Sequence, residues 1–114
     1  MALHDDQVSL QQMLDSTRRA LYLAARRSRL DLDEDWVATL ALIQLLQIIG
    51  EAARRLSDGV RQQHPEVPWG HIIGLRNRLV HGYDTVDLDR LWEVLTVDLP
   101  ELAANLGRIL ASRG

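Results

Sequence analysis

The 114-residue chain has no cysteine and no phenylalanine, and its 13 basic residues are all arginine. Without cysteine there can be no disulfide, no thiolate nucleophile and no cysteine zinc site. A long hydrophobic run is also lacking. The longest apolar stretch, residues 37–50, is interrupted by Thr39, Gln44 and Gln47 and is too short for a bilayer crossing. No basic segment followed by an apolar run marks a signal peptide, so a cytoplasmic protein with no membrane partner is expected. Neither a glycine-rich phosphate loop nor a Gly-x-Ser-x-Gly elbow occurs, which removes nucleotide hydrolysis and serine-esterase chemistry. His4, His64 and His71 have no partner at metal-ligand spacing, so neither a metal nor a cofactor is expected. The net charge of -3 argues against the broad electrostatic grip of a DNA-binding domain, and any RNA contact must be local.

What is present is helical periodicity. At this length one domain, residues 1–114, is expected, and its class is all-α. A first helix is predicted from about Asp6 to about Leu30, with Val8, Leu10, Met13, Leu14, Leu21 and Ala25 at three- and four-residue steps. An acidic turn, Asp31 to Asp35, follows an acid-free window holding Arg18, Arg19, Arg26, Arg27 and Arg29; a solvated face with an acidic turn after it accounts for that pattern. Asp33 can cap a second helix running to about Ser57, with Gly59 as its stop. The segment from Val60 to Trp69, with prolines at 65 and 68, reads as the one substantial loop. A third helix should span Trp69 to Val80 or His81 and end where Gly82 takes a left-handed conformation. Asp87 caps a fourth through Leu99, with a kink at Pro100 or a restart capped by Asp98. Strand signals are absent, and the short connections favour an up-and-down four-helix bundle. Trp36, Trp69 and Trp92 read as core or interface anchors with satisfied indole N–H groups.

The chemistry is concentrated in Gly74-Leu75-Arg76-Asn77-Arg78-Leu79-Val80-His81-Gly82-Tyr83. Metal-free RNA cleavage needs a base for the 2′-hydroxyl, an acid for the leaving 5′-oxygen, and fixed positive charge on the phosphorane between them. Arginine, asparagine and histidine supply those roles. On a continuous helix, Ile72, Leu75 and Leu79 would face the core, while Gly70, Gly74, Asn77 and His81 would lie on nearly the opposite side, and Arg76 and Tyr83 would share a third line. Two glycines in a short helix suggest close approach of a second backbone or a nucleotide. Apolar on more than one side, such a helix reads as one that also packs against a partner, for which a symmetric homodimer is the simplest choice.

The longer string is more specific. His64-Pro65-Glu66-Val67-Pro68-Trp69, the segment from Ile73 to Tyr83, then Val86-Asp87-Leu88 and Trp92 closely resemble the HepT-like branch of the HEPN superfamily. Ile49 to Ser57 and Asp98-Leu99-Pro100-Glu101-Leu102 extend the likeness from about residue 43 to the C-terminus. The resemblance implies an HEPN-type helical bundle with room for an extra short helix. It also implies a homodimeric ribonuclease toxin whose antitoxin is a minimal nucleotidyltransferase. The family motif, Arg, four residues, His, one residue, Tyr, maps onto Arg76, His81 and Tyr83, with Asn77 as the polar residue after the arginine. In that scheme Arg76, Asn77 and His81 are catalytic, and Tyr83 receives AMP from the partner. Arg78 is electrostatic support, and Glu51 either orients Arg76 or is exposed at a helix edge. The bland counterparts are a helix-capping imidazolium for His81, solvated guanidinium groups for Arg76 and Arg78, and a half-buried phenol for Tyr83. A reading from another class also stands: a non-catalytic helical module that presents its tyrosine to a nucleotidyltransferase.

Overall fold

The computed structural model describes residues 5–81 and 85–113. The helices are α1 (Asp6–Ala25), α2 (Asp31–Glu34), α3 (Trp36–Arg54), α4 (Asp58–Gln63), α5 (Trp69–Ile73), α6 (Leu75–Leu79), α7 (Leu88–Glu93) and α8 (Leu99–Arg113). A π-helical turn, Val94–Asp98, joins α7 to α8, and two-residue strands β1 (Val80–His81) and β2 (Thr85–Val86) pair after α6. The class is all-α, as expected. The core forms where α1 packs on α3 and α8, with α5 and α6 laid on the C-terminal part of α3. Leu10 and Met13 from α1 meet Leu42, Leu46 and Ile49 from α3, and Leu91, Leu95, Leu99 and Leu106 complete it; all are fully or almost fully buried. By length and composition α3 could cross a membrane, unlike the shorter stretch of residues 37–50 within it; 44% of its apolar window is buried in the bundle.

Several boundaries differ from the sequence reading. The first helix stops at Ala25 rather than near Leu30, because Arg27 folds back to donate to the Leu23 carbonyl at 2.9 Å and to Asp35 at 3.0 Å. The acidic turn forms its own helix, α2, anchored by buried Leu32, so the cap of α3 is Asp35 and not Asp33. Asp35 accepts from the Ala38 N–H at 3.0 Å; that bond and then the Arg27 guanidinium hold its carboxyl below the usual carboxylate range. Asp33 instead pairs with Arg29, which also reaches Asp89 at 2.7 Å and ties the turn to α7. The acidic turn thus neutralises part of the basic window, leaving Arg18 and Arg19 on the exposed face of α1 and Arg26 exposed just past its end.

Part of the expected loop is helical. Ser57, held by N–H and hydroxyl bonds to Asp6, caps α4 through the Val60 N–H. The chain then turns at Pro65 and Pro68, and the Trp69 indole N–H donates to the carbonyls of Arg61 and His64. Trp69 is buried and Trp92 packs against the core, but Trp36 is 68% exposed and has no core role.

At Pro100 a new α-helix begins directly after Asp98, as one of the two expectations had it, although Asp98 itself belongs to a π-helical turn. Proline lacks an N–H and its ring crowds the carbonyl four residues earlier. The chain widens by one residue just before it, with the Leu99 N–H donating to the Val94 carbonyl, and Pro100 falls in the first turn of α8.

Candidate functional site

The expected third helix is two helices and a strand. It breaks at Gly74, whose N–H donates to the Gly70 carbonyl at 3.2 Å and whose own carbonyl accepts from the Arg78 N–H at 3.3 Å. Within the chain, a close backbone approach to a glycine occurs on the opposing helix. A Cβ on Gly50 would lie 3.0 Å from the Ile73 carbonyl oxygen, whereas one on Gly70 would meet nothing within 4 Å. Missing its side chain, Gly50 lets the end of α5 settle directly on α3.

From there α6 buries Leu75 and Leu79 and turns Asn77 and Arg78 outward, with Arg76 partly buried. Arg76 Nη1 donates to Asn77 Oδ1 over a long 3.4 Å, so the two groups predicted to grip a phosphate stand side by side. Val80 leaves the helix in extended geometry and pairs with Val86, while His81 pairs with Thr85; the Asp87 N–H closes the hairpin onto the Leu79 carbonyl at 2.8 Å. His81 is therefore exposed on a strand and does not cap a helix C-terminus. Strands were not expected; β-branched Val80, Thr85 and Val86 favour the pairing. The strand also alters the spacing. Three helical steps and two extended ones place His81 roughly 11 Å of backbone travel from Arg76, against roughly 7.5 Å on a continuous helix. The left-handed conformation of Gly82 and the position of Tyr83 lie outside the described residues.

Glu51 accepts from Gln47 at 3.4 Å and sits 3.8 Å from Arg54 on its own helix; it lines a groove between α1 and α3 with Arg19 and Arg55. No hydrogen bond or ion pair joins it to Arg76 among the described residues. Arg78 has a partner that sequence reasoning did not supply. Its Nη1 donates to the Nδ1 of His71 at 2.5 Å and to the His71 carbonyl at 3.1 Å, while the other ring nitrogen of His71 lies 3.5 Å from Asp98 Oδ2. A seven-residue spacing hinted at the His71–Arg78 contact, but only the fold brings in Asp98. Among the described residues no three His, Cys, Asp or Glu side chains converge in a way that could hold a metal ion.

Residues 13–109 match the family model described as ribonuclease HepT-like. A protein of Caldanaerobacter subterraneus subsp. tengcongensis, named as a candidate RNase, is 39% identical over 80 residues, covering 70% of this chain and 71% of its own length. A candidate RNase of Methanocaldococcus jannaschii is 42% identical over 62 residues, covering 54% and 57% respectively. A Thermococcus cleftensis protein, named as a candidate ribonuclease HepT, is 35% identical over 69 residues, covering 60% and 63%. The matched stretch thus takes in between 57% and 71% of these relatives' own lengths. No solved structure matches the chain. With a family model spanning both the bundle and the Arg76–His81 segment, the chain belongs to the HepT-like ribonuclease family.

Proposed function

We propose that the protein is a metal-independent ribonuclease that acts as the toxin of a toxin–antitoxin pair. The observation that carries the reading is the Arg76–Asn77 pair on a short exposed helix with His81 exposed two residues beyond its end, inside the segment matched by the HepT-like family. His81 removes the proton from a ribose 2′-hydroxyl, whose oxygen attacks phosphorus; the bond from phosphorus to the 5′-oxygen breaks, and an imidazolium returns a proton to that oxygen. The products are a 2′,3′-cyclic phosphate and a free 5′-hydroxyl. Arg76 neutralises the phosphorane and Asn77 donates to a non-bridging oxygen.

One imidazole cannot stand on both sides of an in-line displacement. A homodimer that apposes two copies of the segment supplies base and acid from different subunits, consistent with the outward presentation of His81. The antitoxin is a minimal nucleotidyltransferase that transfers AMP to the Tyr83 hydroxyl, adding a phosphodiester charge where the RNA backbone must bind. Inducible expression tests the toxin reading. The wild-type chain should arrest growth, and Arg76→Ala and His81→Ala, produced at equal soluble levels, should not; arrest by all three would overturn it.

A further inference from the structure

Arg78 lies on the same five-residue helix as Arg76 and Asn77, but its guanidinium turns toward His71 and Asp98. A guanidinium can only donate, so His71 Nδ1 must accept, leaving the proton on Nε2 and aimed at the Asp98 carboxylate. Nη1 uses its two protons on His71 Nδ1 and the His71 carbonyl. The guanidinium rests over Gly74, where an added Cβ would meet its Cζ at 3.5 Å. Asp98 is the last residue of the π-helical turn; it is half-buried, and with Arg90 and Glu93 it borders a cavity of about 120 Å³ beside the network.

We propose that Asp98 and His71 are positioning residues that lock Arg78 and so fix the rotation of α6, which aims Arg76 and Asn77 at the phosphate; this rests on the ribonuclease reading above. A five-residue helix has too few internal hydrogen bonds to hold itself. No side chain caps α6 at its N-terminus; its C-terminal end is held by the Asp87 N–H on the Leu79 carbonyl, and the Arg78 tether adds a restraint on the side turned away from the buried Leu75 and Leu79. Arg78 and Asp98 select the tautomer from opposite sides of the ring, His71 presents the acceptor, and Arg78 holds the helix to α5 and, through His71, to the π-helical turn.

Two measurements test this. In the wild-type protein at mildly alkaline pH, long-range proton–nitrogen NMR of His71 should show Nε2 protonated and Nδ1 unprotonated, and the Arg78→Ala, Asp98→Ala double variant should relax the ring to the tautomer mixture of a free imidazole. An Nδ1-protonated ring, or the same averaged ring in both proteins, overturns the tether. In RNA cleavage, His71→Leu should lower kcat roughly three- to tenfold with KM little changed, the size expected of one positioning hydrogen bond at a half-exposed site. His71→Asn, whose amide oxygen can replace Nδ1, should recover most of the loss. Wild-type kcat in His71→Leu, or an equal loss in His71→Asn, overturns the positioning role; thermal melts confirm that each variant is folded. A chain that holds the tautomer yet cuts no RNA refutes the ribonuclease reading and leaves the tether standing, and one that cuts RNA with an averaged ring refutes the tether alone.

Discussion

Replacing Gly50 by alanine probes how the bundle sets the position of the Arg76–His81 segment. In the middle of a helix, glycine to alanine ordinarily stabilises by about 1 kcal/mol. Here the new Cβ would lie 3.0 Å from the Ile73 carbonyl oxygen and 3.4 Å from that of Ile72. Both are backbone atoms that cannot swing aside, and forcing a methyl group into a packed contact costs about 1–3 kcal/mol. Overpacking wins, with a net loss of up to about 2 kcal/mol. Unfolding entropies scale with length, so for 114 residues 1 kcal/mol is roughly 4 °C in Tm, and Gly50→Ala should melt up to about 8 °C lower. Gly107 is the internal control: it lies in α8 and a Cβ there meets nothing within 4 Å, so Gly107→Ala should melt about 4 °C higher. Thermal unfolding followed by circular dichroism, at one protein concentration for all three chains, makes the comparison. Because Ile73 leads straight into Gly74 and α6, cleavage by Gly50→Ala should also fall more than its residual stability accounts for. A rise in Tm equal to that of Gly107→Ala would refute the close approach of α5 to α3.

Leu79, 1% exposed and the last residue of α6, should lose about 2–5 kcal/mol on substitution by alanine in denaturant unfolding, since its neighbours belong to other elements and cannot close the cavity. Asp35 has its carboxyl pKa lowered by the Ala38 N–H and by Arg27, so its stabilising effect is present above the ordinary carboxylate value of 3.8 and fades as pH falls through the lower folded value. Asp35→Asn should accordingly melt below wild type at neutral pH, and the gap should narrow in acid. Tyr83→Phe should keep most of the cleavage activity yet gain no mass on incubation with a partner nucleotidyltransferase and ATP, because the phenol moves no proton but carries the acceptor oxygen.

The helical class was legible in the sequence because apolar residues such as Leu10, Met13, Leu42, Leu46 and Ile49 recur at helical spacing and all are buried. Errors fell where a local signal competes with a tertiary one. Asp33 and Asp35 are both sound caps by type, and the choice depended on Leu32 burying itself and Arg27 turning back. The hairpin after α6 was invisible because Leu75 and Leu79 continue a helical period up to the residue where Val80 departs from it. The π-helical turn before Pro100 arises because the proline withholds one hydrogen bond and the chain recovers another from Val94. Arg76 and Asn77 were legible as neighbours along the chain. The network of Asp98, His71 and Arg78 was not, because the contact between Asp98 and His71 spans 27 residues, with α6, both short strands and α7 between them, and has no periodic signature.

The account turns on whether Arg76 and His81 cut RNA. Purified protein incubated with end-labelled RNA in excess chelator tests it most directly. Cleavage leaving 2′,3′-cyclic phosphate ends, and lost by at least about 100-fold in folded His81→Ala, the low end of what general acid–base catalysis contributes, is the predicted result. Magnesium-dependent cleavage leaving 3′-hydroxyl ends, or wild-type cleavage by folded His81→Ala, would contradict it.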